Sequence, residues 1–169
     1  MNKKTLIIFI SILALALIVT AVILLSPSKK QEQLHFEGVK IDANGNILST
    51  CAINWNNTYK DGPLSDRAYY QMHAVVEGYY DLPYALSNGE ALTISSSNGW
   101  DFDLIGGSVF MPSVNRYCGV QYILAHDQSW CVLIINDPTE GIVYFIGTAD
   151  PSLSPTTIYK DYYLYFFKE

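Results

Sequence analysis

Thr5 to Leu25 (TLIIFISILALALIVTAVILL) is a run of 21 residues without one charge. As an α-helix it would span about 32 Å, close to the hydrocarbon thickness of a bilayer. Its only polar side chains are Thr5, Ser11 and Thr20, whose hydroxyls can bond back into the helix. Lys3 and Lys4 precede it. Ser26-Pro27-Ser28-Lys29-Lys30 ends it, because proline cannot continue the hydrogen-bond ladder and the two lysines suit an interface. The run is expected to form one continuous helix that stays out of any domain core.

A cleaved signal peptide shares the basic start, and Ser26-x-Ser28 offers a cleavage site. Its apolar stretch covers only about 7–15 residues, however, so length favours an uncleaved signal-anchor. No cysteine follows the run, which excludes a lipoprotein. Residues 1–30 thus read as a transmembrane anchor and 31–169 as one domain. The basic start favours an extracytoplasmic C-terminal domain, with the protein single-pass in the cell membrane.

Charge then narrows the partners. Of ten basic residues, removing Lys3 and Lys4 leaves eight beyond the run, against sixteen acidic ones. A domain this acidic lacks the basic footprint that nucleic acid requires, and it repels anionic headgroups. Calcium and cationic partners remain open. With 50% hydrophobic and 15% charged residues, the chain is not a disordered polymer.

Beyond a polar linker at Gln31–Leu34, the pattern is mostly period two, the mark of strands. Leu34 and Phe36 fall one step out of phase with Val39 and Ile41, which suggests a bulge at Gly38. Asp42-Ala43-Asn44-Gly45-Asn46 signals a hairpin turn. Ile47 to Trp55 alternates. Asn56–Asp66 reads as a loop. Tyr69, Met72 and Val76 fall at i, i+3, i+7, predicting a helix over Arg67–Glu77 that stops at Gly78. Asp101–Met111, Tyr117–Ala125, Trp130–Asn136 and Ile142–Gly147 read as strands, the last three as an antiparallel meander. Trp130–Asn136 and Ile142–Gly147 are apolar on both faces, so both faces need cover. The predicted helix would supply it. Thr156–Phe167 fits a strand by propensity, or a helix capped by Ser154 with Pro155 first. The expected class is α+β: a transmembrane helix, then a mainly antiparallel β domain with one covering helix.

No phosphate loop, Cys-x-x-Cys, His-Glu-x-x-His or Gly-x-Ser-x-Gly occurs, so neither a cofactor nor a resident metal is expected. A calcium loop beginning at Asp42 fails, because Ile47 and Ile53 occupy its glycine and glutamate positions. Cys51, Cys118 and Cys131 read as buried thiols. If Asp127-Gln128 is a hairpin tip, Cys131 faces Leu124 and lies about 20 Å from Cys118, too far for a disulfide. A bond from Cys51 to either stays open. His35, His73 and His126 form no local catalytic motif.

Asp101 and Asp103 share one strand face, a spacing that suits calcium or acid–base chemistry, although a solvated face is the simpler account. Trp55 and Trp130 read as core-edge residues. Trp100 follows Ser95-Ser96-Ser97-Asn98-Gly99, a stretch too polar to bury, and is the best candidate for ligand contact. The resulting expectation is a non-catalytic binding role at the envelope, toward a protein or a glycan, with Trp100, Asp101 and Asp103 as ligand-contacting residues. The competing reading is an envelope hydrolase using Asp101, Asp103 or Asp127.

Overall fold

The computed structural model describes residues 3–26, 28–62, 65–85, 92–95, 101–111 and 115–167. The apolar run forms α1 (Lys3–Leu25), a helix long and apolar enough to cross a membrane. Every residue from Ile8 to Leu25 is exposed, so none of these side chains joins the core. Thr20 Oγ1 donates to Ala16 O at 2.8 Å, and Ser26 Oγ to Val22 O at 2.6 Å. Both hydroxyls are thereby satisfied inside the helix.

Nine strands follow among the described residues: β1 (Ser28–Asp42), β2 (Ile47–Gly62), β3 (Ser65–Val76), β4 (Tyr80–Ala85), β5 (Leu92–Ser95), β6 (Asp101–Met111), β7 (Arg116–Ala125), β8 (Trp130–Asp137) and β9 (Gly141–Thr148). A C-terminal helix, α2 (Pro155–Phe167), completes the chain's elements. The strands form one sheet in the order β4-β3-β2-β1-β9-β8-β7-β6-β5, antiparallel at every ladder. Sequence neighbours pair everywhere except β4 and β5, while the first strand pairs with the last. The sheet is an up-and-down meander that curls into a barrel, with β4 and β5 unpaired with each other among the described residues.

Contacts across the interior show the curl. The Trp55 ring on β2 meets Tyr122 on β7 edge-on at 5.9 Å. Tyr122 Oη donates to Leu82 O on β4 at 3.3 Å, and Tyr80 Oη on β4 to Asp137 on β8 at 2.6 Å. Inward side chains from eight of the nine strands, from Phe36 to Phe145, form one apolar cluster. Burial raises the Asp137 pKa, but the Tyr80 hydroxyl and the Glu140 and Thr139 amides outweigh it and leave the carboxyl below its ordinary value.

The two-sided apolarity has its cover. Outward side chains Ile41, Ile123, Val132, Ile134, Tyr144 and Ile146 form a second cluster with Ile158 and Tyr159 of α2. Tyr144 and Tyr159 pack edge-on at 5.1 Å, and Tyr159 Oη reaches Ala43 O at 3.2 Å.

Several expectations change. Arg67–Glu77 is strand, and the covering helix is the tail. The register slips between Thr58 and Tyr59 opposite Gln71 and Tyr69, so Tyr70 is an extra residue. That bulge turned an alternating inner face (Met72, Ala74, Val76) into a false helical period with Tyr69. Gln31–Leu34 is not a linker but part of β1, which starts three residues after α1 ends. Asn56–Asp66 is not a loop: β2 runs to Gly62 and β3 starts at Ser65.

Gly38 is not bulged either; the register shift on β1 falls between Lys40 and Ile41. Phe36 points to the barrel interior and Ile41 to the α2 side, so both phases are apolar for different reasons. The Asn-Gly turn is as expected: Asp42 Oδ1 accepts from Asn44 N at 2.9 Å and Asn46 N at 2.8 Å, and Gly45 has φ +85°. The β7–β8–β9 meander sits within the sheet, with Leu124 opposite Cys131. Ser87-Asn88-Gly89 lies outside the described residues.

The glycine at 38 has another purpose. It pairs with Gly147 on β9, and a Cβ there would lie 2.1 Å from Ile146 O. Gly38→Ala must therefore push apart the ladder that joins the first strand to the last. It is expected to lower unfolding stability by about 3 kcal/mol in denaturant melts. Gly106→Ala, where a Cβ would meet nothing within 4 Å, should be nearly neutral. Equal effects would mean that β1 and β9 are not closely joined.

Candidate functional site

The two outer faces of the barrel differ. Over β7, β8 and β9, α2 covers an apolar surface. Over β1, β2 and β3 no described element covers the sheet, and the outward side chains nearest α1 are polar. Register places them in rows across the three strands: Gln31–Thr58–Gln71, then Gln33–Asn56–His73. Together with Glu32 and Asn57 they line a concave groove of about 320 Å³. All six outward residues carry neutral hydrogen-bonding groups when histidine is unprotonated, and the first row includes no side chain that can ionise.

The next row is His35–Asn54–Val75. His35 bridges Asn54 Oδ1 at 2.7 Å and Glu37 Oε1 at 3.0 Å. The hydrogen bond that His35 donates to Asn54, and then the one to Glu37, raise the His35 pKa. Asn54 Nδ2 donates to Glu77 at 2.8 Å, and His73 pairs with Asp81. Acidic groups thus flank the groove on the side away from α1.

Beneath the groove, the inward side chains of the same strands form a polar cluster. Trp55 Nε1 donates to Asn57 Oδ1 at 2.5 Å, which fixes the amide orientation, since indole is a donor only. Asn57 sits opposite Glu32, which accepts from Gln128 and, at 3.4 Å, from Tyr59 Oη. Asn57 Nδ2 and Glu32 Oε2 are buried without a hydrogen-bond partner among the described residues. Tyr59 packs on Tyr69 with rings 5.5 Å apart. Tyr69 Oη donates to Asp103 Oδ2 at 2.8 Å, and His126 Nε2 meets Asp103 Oδ1 at 2.7 Å.

Asp103 is therefore not on a solvated face. It is 0% exposed and joins β3 to the turn after β7. Asp101, at the start of β6, is exposed, and its carbonyl accepts from His126 N at 3.0 Å. The shared strand face holds, but the chain end lets solvent reach one carboxylate and not the other. Trp100 lies outside the described residues. Trp55 and Trp130 are buried in the interior and under α2 respectively.

At the far end of the barrel the polar groups are matched. Lys40, 5% exposed, pairs with Glu140 at 2.5 Å and lies over the Tyr79 ring. Among the described residues no group of three or more His, Cys, Asp or Glu could hold a metal ion.

The groove residues Gln31, Gln33, Asn56, Thr58, Gln71 and His73 escaped the sequence reading. Their signal was an i, i+2 polar alternation in each of three segments. It was hidden because those segments read as linker, loop and helix. No family model matches the chain, and no curated protein or solved structure matches it either.

Cys51, Cys118 and Cys131 are free and buried. Burial pushes the Cys51 thiol up to about 11 and raises Cys131 well above its usual range; Cys118 is raised by the same cause. None is poised as a nucleophilic thiolate. A shift of Cys51 from 9.0 to about 11 reduces its thiolate population about 100-fold at neutral pH. Labelling by a chromogenic disulfide at pH 7.5 should accordingly be at least that much slower in the folded chain than in denaturant. Labelling of all three thiols at the denatured rate would contradict this packing.

Proposed function

We propose that this protein is a single-pass, membrane-anchored domain on the extracytoplasmic side that binds a glycan of the cell envelope without catalysis. The observation that carries the reading is the uncovered groove across β1, β2 and β3. Amides, a hydroxyl and an imidazole, with the Glu32 carboxylate among them, present donors and acceptors in a regular array, matching the hydroxyl pattern of a sugar chain. Lys3 and Lys4 before the apolar run favour the cytoplasmic side for the N-terminus and the opposite side for the domain. Asp101 starts β6, at the α1 end of the barrel, and with Trp100, which precedes it in sequence, remains a proposed contact; Asp103 holds Tyr69 and His126.

The hydrolase reading has one observation in its favour, the Asp103–His126 hydrogen bond, which orients an imidazole as a general base would be oriented. No activated nucleophile among the described thiols accompanies it. Asp103→Asn should leave no envelope-degrading activity to lose.

The test is co-sedimentation of the detergent-solubilised chain with purified, protein-free cell-wall polysaccharide. Replacing both Gln33 and Asn56 by Ala should weaken binding about tenfold or more, the equivalent of two lost hydrogen bonds. Both side chains are exposed, so the melting temperature should stay nearly unchanged. Trp100→Ala should also weaken binding at unchanged stability. Unaltered binding in the groove variant, or no binding by the parent chain, would overturn the glycan assignment.

A further inference from the structure

The overall negative charge of the domain conceals an uneven distribution. On the face that carries the groove, one row nearer to α1, Lys29 on β1 lies directly opposite Lys60 on β2. Cross-strand neighbours stand about 5 Å apart at Cβ, and like charges so placed repel unless an anion lies between them. Both lysines are exposed, and neither has an ion pair among the described residues. Lys60 Nζ instead lies 5.5 Å from the centre of the Tyr70 ring, which is 38% exposed. Lys30, also exposed, adds a third positive charge, while Asp61 opposite Ser28 is the single acid on the paired ends of the two strands.

Chain connectivity fixes where this row sits. Lys29 is four residues beyond the end of α1, a reach of at most about 14 Å. The polar layer of a bilayer extends about 5–8 Å beyond the hydrocarbon on each side, and lysine stems can bend back toward it. A tyrosine beside the lysines suits the same depth.

We propose that Lys29 and Lys60, flanked by Tyr70, bind the phosphate of an anionic lipid headgroup and seat the end of the β1–β2 hairpin on the bilayer surface. This rests on the anchoring part of the reading above and is independent of the glycan. It replaces the expectation that the acidic domain is repelled by anionic lipid: repulsion acts on the body of the domain, attraction on the end tethered to the helix. The groove then opens immediately above the headgroups, one row from the lysine pair.

The experiment uses the full chain in nanodiscs of phosphatidylcholine, with and without phosphatidylglycerol. Amide exchange is read at residues 29–31 and 59–61. The anionic lipid should slow it about tenfold, and added salt should reverse the effect. Lys29→Gln with Lys60→Gln should abolish the difference without lowering the melting midpoint. Equal exchange in the two lipids overturns the proposal. So does equal protection by free glycerol phosphate in phosphatidylcholine discs, which would make this a soluble-phosphate site. A chain that co-purifies with neither disc overturns it together with the anchor, whereas loss of lipid dependence in a disc-bound chain overturns it alone.

Discussion

A closed ring of antiparallel strands needs an even number of them, and this barrel has nine among its described residues. Eight successive reversals leave β4 and β5 running in the same direction, and there the ladder stops. The curl must be completed by side chains. Tyrosine hydroxyls do this at three places: Tyr69 reaches Asp103, Tyr80 reaches Asp137, and Tyr122 reaches the Leu82 carbonyl. A phenol is long enough to cross part of an apolar interior and polar enough to end on a buried acceptor. This gives a structural role to several of the 13 tyrosines. It also gives two buried carboxylates a structural role: Asp103 and Asp137 are acceptors for cross-barrel donors.

From the same constraint follows the division of the outer surface. Among the described residues, the meander from β5 to β9 and the meander from β1 to β4 share a strand-to-strand ladder only at β1–β9, where Gly38 and Gly147 allow close approach. The second half returns as α2 over its own outer face, and this gives Trp130–Asn136 and Ile142–Gly147 their two apolar sides. The first half has no such cover among the described residues. Its outer face changes steadily with distance from α1, from lysine, through amide and hydroxyl, to histidine paired with acid. The lysine row proposed to meet the headgroups and the polar groove beside it are successive rows of one sheet face.

How much of this was legible in the sequence depended on whether local pattern and long-range pairing agreed. The apolar helix, the Asn-Gly hairpin, the β7–β9 meander and the Leu124–Cys131 register could all be read, because each is determined within one helix or between strands adjacent in sequence. The bulge at Tyr70 imitated a helical period, and the tail's β-forming Tyr and Phe outweighed a visible Ser-Pro helix start. Polar rows on β1, β2 and β3 could not be seen as a site, since Gln33, Asn56 and His73 become neighbours only when three strands pair. Asp103 was misplaced for a related reason: alternation shows which face a residue shares, not whether that face is closed over.

The most direct measurement is residue-resolved amide exchange along β1 in the full chain. A strand paired on both sides bonds every amide, and one paired on a single side bonds alternate amides. β1 has β2 on one side throughout but β9 only over Glu37–Asp42. Protection should alternate from Lys29 to Phe36 and then become continuous up to the register shift at Lys40/Ile41. Alternation persisting through Glu37–Asp42 would mean that the first and last strands do not join, and the barrel described here would not exist.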